Sequence, residues 1–137
     1  MVDASTVLAW CFPDEASEYA DAVLDALEEH TILVPAIWSL EVANALLSGE
    51  RTKRLNQPEI TRFITLIQGL SLVQDLQPVA ENVRNVLPLA RTHRLSAYDV
   101  AYLELSIRHS APLATFDGKL QKAAKGAGVE IFLGTGY

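Results

Sequence analysis

Five short apolar runs are set along this chain, and the stretches between them repeat their apolar residues every three or four positions. The runs lie at residues 1–4, Ile32–Val34, Leu72 and Val73, 112–116 and 129–132. Runs that short and that apolar are buried on both faces, as in parallel sheets covered by helices on either side. Ala16, Tyr19, Ala20, Val23, Leu24 and Leu27 line one face of a predicted helix over residues 15–29. Further helices are predicted over residues 37–47 and from Pro58 through Ile67. Three more follow, over residues 79–91 with a kink or break at Pro88, 96–109 and 120–125. Strands alternating with helices in this way predict a three-layer α/β domain with a parallel sheet.

With 137 residues, the chain is expected to form one domain over residues 1–137. A fold of that length buries roughly two-thirds of its unfolded surface, so it needs no staples. Cys11 is the single cysteine, which excludes an internal disulfide and a cysteine-rich zinc site. No apolar run approaches the ~20 residues of a membrane span, and the first residues lack a signal-peptide pattern. A cytoplasmic location is expected. The net charge of −6 argues against a simple nucleic-acid-binding module. Its distribution is uneven: residues 1–50 hold ten acids and no Lys or Arg, and all 11 bases lie from Arg51 onward. Groups such as Arg51, Lys53 and Arg54, or Lys119, Lys122 and Lys125, are either solvated faces or the rim of an anion site.

In open parallel sheets, ligands bind beyond the carboxyl ends of the strands. Asp3 follows the first run and Asp117 the fourth, with Thr115 two residues earlier on the same side. Glu41 and Asp99 interrupt otherwise apolar helices, and Asn44 shares a face with Glu41. A buried carboxylate must be hydrogen-bonded, paired or metal-bound. Each acid also has a plain structural role open to it. Asp99 has capping-box spacing to Ser96, Asp117 is placed to cap a helix, Asp3 suits a turn, and Glu41 is free to face water. Were the four to converge, their repulsion would call for a hard divalent cation, Mg²⁺ or Mn²⁺, held by oxygen. Ser5, Asn44 and Thr115 would form a polar rim, and phosphodiester hydrolysis is the matching reaction. His30, His93 and His109 have no ligand spacing, Trp10 and Trp38 read as packing residues, and no glycine-rich phosphate loop is present.

Four segments together resemble the PIN-domain signature, and in order and spacing the VapC-type toxins of toxin–antitoxin pairs. They are Val2-Asp3-Ala4-Ser5, Glu41-x-x-Asn44-Ala45-Leu46, Tyr98-Asp99-x-x-Tyr102-Leu103 and Leu113-x-Thr115-x-Asp117. The resemblance implies a PIN-like fold with five parallel strands in the order 3-2-1-4-5, bringing Asp3 beside Asp117. It also implies an endoribonuclease dependent on Mg²⁺ or Mn²⁺, with Asp3, Glu41, Asp99 and Asp117 as the metal site. Direct ligation falls first to Asp3 and Asp99, with support from Thr115, Ser5 and Asn44. A homodimer and a VapB-like antitoxin are the implied partners, and Arg51, Lys53 and Arg54 are the candidate rim for RNA. The family places several apolar residues before its first acid. Here only Met1 and Val2 do so, which means a first strand that is short or lacks residues, and a loosely held Asp3. The alternatives are a flavodoxin-like Mg²⁺-binding module phosphorylated at Asp75, a PIN-like domain that binds without cleaving, and a processing nuclease without an antitoxin.

Overall fold

The computed structural model describes residues 1–12 and 17–134. A helix that the periodicity does not announce, α1 (Ala4–Cys11), starts directly after Asp3, whose side chain caps it by accepting from the Thr6 amide. The segment has no polar face, because Thr6, Val7 and Ala9 are all buried, and so it carries no amphipathic signal. Ser17 caps α2 (Glu18–Leu27) through the Ala20 amide, and Ala20, Val23 and Leu27 face the core as their spacing requires. The first residues of the predicted helix, 15 and 16, lie outside the described residues.

After β1 (Ile32–Val34) come α3 (Trp38–Arg51) and α4 (Gln57–Gln68), the latter opened by a reciprocal capping box between Asn56 and Glu59. Gly49 of α3 allows a close approach: a Cβ there would stand 2.8 Å from Phe12 Cζ and 2.9 Å from Leu55 Cδ1. Then follow β2 (Leu72–Gln74), α5 (Val79–His93), α6 (Ala97–His109) and α7 (Gly118–Gly126). The predicted break at Pro88 does not occur; α5 runs through it. Proline removes the donor to the carbonyl four residues back, that of Arg84, an exposed residue. None of these helices is long and apolar enough to cross a membrane, among the described residues.

The sheet is less extensive than the five strands expected. β1 and β2 pair in parallel, Ile32 with Leu72 and Val34 with Gln74. The remaining segments meet through isolated parallel bridges, Val2 with Ala114 and Leu113 with Ile131. Around them, the Ala114 amide donates to Met1 O and the Phe132 amide to Leu113 O, both at 2.9 Å. Residues 113 and 114 therefore lie between the first and last segments, while β1 and β2 form a separate pair among the described residues. The ladder stops at Ala114 because the Thr115 carbonyl accepts instead from the Gln121 side-chain amide, at 2.9 Å. Val2, Ile32, Tyr102, Leu103 and Leu113 meet in the core beneath this framework.

Arg108 fastens α6 to the turn after β2. Its guanidinium donates to both oxygens of Glu104 (2.8 and 3.1 Å) and to both oxygens of Asp75. Glu104 is only 6% exposed. Arg108→Ala strands that carboxylate, and the pair's partial exposure reduces the cost to about 2 kcal/mol in urea unfolding. The Arg108 bonds hold the Asp75 carboxyl below its usual range. Its stabilisation is therefore complete above the ordinary aspartate value of 3.8 and is lost as the pH falls below it. Unfolding midpoints measured from pH 7 to pH 3 should fall less steeply in Arg108→Ala than in the parent.

Candidate active site

Asp3 is 5% exposed, and its carboxylate accepts from four donors. Oδ1 accepts from the Ser5 hydroxyl at 2.8 Å, the Thr6 amide at 3.1 Å and the Thr6 hydroxyl at 3.2 Å. Oδ2 accepts from the hydroxyl of Thr115, a fully buried residue 112 positions away. The Asp3 amide adds a bond to Ala114 O at 3.1 Å. A second layer orients these donors: Thr115 Oγ1 accepts from the Asp117 amide (3.0 Å), and Ser5 Oγ from the Phe116 amide (3.3 Å). The loose Asp3 expected from a short first strand is thus corrected; side-chain donors, not a long strand, hold it. Burial pushes its pKa up, and the hydrogen bonds from Thr115, Ser5 and Thr6 oppose that rise.

Glu41 sits in the first turn of α3 and is half-buried. Its Oε1 is buried with no hydrogen-bond donor among the described residues. Burial raises its pKa, the Tyr102 hydroxyl pulls the other way, and the charges of Asp99 and Asp3 raise it further. The three acids are therefore within electrostatic reach of one another. Asp99 lies in the first turn of α6, where its amide donates to the capping Ser96 hydroxyl at 3.2 Å. This is half a capping box, since no bond returns from the Asp99 carboxylate among the described residues.

Asp117 caps α7: Oδ1 accepts from the Lys119 and Leu120 amides at 2.9 and 3.4 Å, leaving Oδ2 unengaged by the cap. Through its own amide and Thr115 it is joined to Asp3. Asn44 is exposed on α3 beyond this network. Arg51 stands ten positions beyond Glu41 on α3, about 15 Å of helix rise, and Lys53 and Arg54 follow the end of that helix. Arg54 stacks over the Phe12 ring at 4.2 Å.

Asp75, the phospho-acceptor of the regulatory alternative, is engaged by Arg108 and removed from this cluster. Thr6 and Tyr102 join the site without having been singled out as functional. Each lies three residues after an acid, Asp3 and Asp99, and so shares its helical face.

Among the described residues, no three acid, histidine or cysteine side chains stand close enough to close on one ion. The donor set nevertheless fits a hard divalent cation. All its groups are oxygens, the carboxylates repel one another, no described ion pair neutralises Asp3, Glu41 or Asp99, and one Glu41 oxygen is buried unpartnered.

Residues 1–126 match the PIN domain family. The chain belongs to that family. This PIN domain is 32% identical to Ribonuclease VapC3 of Pyrobaculum aerophilum over 121 residues, which cover 88% of the chain and 90% of the relative. It is also similar to the crystal structure of PAE2754 from Pyrobaculum aerophilum, with a TM-score of 0.66 and 25% identity. That likeness covers 91% of this PIN domain and 78% of the other chain.

Thr115→Val tests the network. It leaves Asp3 Oδ2 and the Asp117 amide without their partner and should cost about 2 kcal/mol in urea unfolding. Thr115→Ser, which keeps the hydroxyl, should recover most of that loss.

Proposed function

We propose that this PIN domain is a metal-dependent endoribonuclease of the VapC type, the toxin of a toxin–antitoxin pair. The observation that carries the reading is the Asp3 carboxylate, buried and fixed by four donors beside the unneutralised Glu41 and Asp99. The likeness to a ribonuclease along most of both chains supports it. Asp3 and Asp99 would hold Mg²⁺ or Mn²⁺ first, with Glu41 and Asp117 completing the site. A bound ion of this kind supplies a water of lowered pKa and neutralises charge on the phosphodiester. Thr115 and Ser5 fix the Asp3 carboxylate, whose Oδ2 has one donor and keeps a lone pair. Glu41, whose Oε1 is buried without a donor among the described residues, would supply that oxygen to the ion's shell. Asn44, on the Glu41 helix, would orient substrate at the rim.

The finer architecture belongs to the same reading: a single PIN-like domain over residues 1–137 with strand order 3-2-1-4-5. The bridges that set residues 113–114 between the first and last segments, and the β1–β2 pair, support that order. A VapB-like antitoxin, a cytoplasmic location and a homodimer complete it. For the homodimer, Val79, Val83 and Leu87 offer an exposed apolar face on α5.

Total cellular RNA incubated with the purified protein should be cut into discrete fragments with Mg²⁺ or Mn²⁺ and left intact with chelator. Asp99→Asn should lower the rate at least about a hundredfold. Equal cutting by the variant would overturn the acid-site reading. Reversing Arg51 and Lys53 to Glu should weaken RNA binding, measured by filter retention, and leave Mn²⁺ affinity unchanged. Unchanged RNA binding would place the rim elsewhere.

A further inference from the structure

Thr115, Phe116 and Asp117 alternate in direction along extended chain. Thr115 points in at Asp3, whereas the Phe116 ring is 37% exposed on the other side of the same segment. The Phe116 ring thus stands partly open one residue from the acid network. The Tyr19 ring meets it edge-on at 5.4 Å and 76°, and the Tyr19 hydroxyl donates to Phe132 O at 2.8 Å. The two rings border a cavity of about 580 Å³, a volume ordinary for small-ligand sites.

The other walls are polar as well as apolar. Glu18, Gln121, Lys125 and Ile131 line the same cavity. The Gln121 amide nitrogen is fixed on Thr115 O, and its carbonyl oxygen has no hydrogen-bond partner among the described residues. Helix α7, which supplies Gln121 and Lys125, carries Lys119, Lys122 and Lys125 and no acid, in a chain whose net charge is −6. An aromatic ring, the polar Gln121 and Lys125 in the wall, and two more lysines on the same helix suit one unit of a nucleic-acid strand. They do not suit an apolar ligand.

We propose that this cavity takes a nucleobase of the RNA strand, stacked on Phe116, adjacent to the phosphate held at the Asp3 acids. The α7 lysines then meet the next phosphate. The proposal deepens the ribonuclease reading and rests on it. Because 115 and 116 face opposite ways, a strand crossing this edge presents its phosphate to one side and its base to the other. Phe116 thus sets which position of the substrate must carry a base.

The test is a series of short RNAs, one abasic site walked through each, bound in Ca²⁺ and read by fluorescence anisotropy. Wild type should lose about tenfold in affinity when one position is abasic and little at its neighbours. Phe116→Ala should bind all members alike, and Phe116→Tyr should restore the discrimination. If Phe116→Ala does not fold, Phe116→Leu carries the test, since it keeps an apolar contact with Tyr19 and lacks the π face. Uniform binding by wild type, or discrimination that persists without the ring, overturns the proposal. Cleavage of the same series with Mg²⁺ separates the two readings. Base discrimination without any cutting rejects the nuclease and leaves the subsite standing.

Discussion

A carboxylate removed from water is tolerated only if donors replace the water, and that requirement organises one end of this molecule. Asp3 takes its donors from two places: Ser5 and Thr6 in its own helix, and Thr115 at the end of a segment 112 residues on. The second source forces the first and fourth apolar runs into register. It therefore fixes a tertiary contact as well as a side chain. Phe116 and Asp117 follow from it, since their amides close on Ser5 and Thr115.

The acids also share a local setting. Asp3 and Asp117 cap helices, while Glu41 and Asp99 lie in first turns. Helix N-termini carry unpaired amides and partial positive charge, which lets a fold gather negative side chains before any counter-ion is considered. Asp117 thus takes the capping role open to it, and Asp3 caps α1 where a turn was the expected structural role. Glu41, with one oxygen buried and without a donor among the described residues, carries the electrostatic stress of the site.

Much of this was legible in the chain. The apolar pattern located α2 through α7, and the placement of acids after apolar runs located Asp3 and Asp117. What was not legible has physical causes. Helix α1 is buried on most sides, so its sequence lacks the polar stripe by which helices are recognised. Pro88 did not break α5, and the residue whose carbonyl it leaves without a donor, Arg84, is an exposed one. The fourth run made little sheet because a side chain, Gln121, claimed a carbonyl that a neighbouring strand would have used. Competition by side chains for backbone groups leaves no trace in an apolar pattern.

The capping role of Asp3 and Asp117 bears on which of the four acids such a domain can lose. Asp3 and Asp117 hold helix ends and each other, so a lineage released from selection for cutting would still be penalised for replacing them. Glu41 and Asp99 enjoy no such protection; exchanging either for a neutral residue relieves repulsion and leaves the scaffold standing. Decay should therefore be ordered, with the helix-turn acids drifting first and the capping acids persisting as relics. Two aspartates retained at those ends therefore mark the fold, whatever stands at positions 41 and 99.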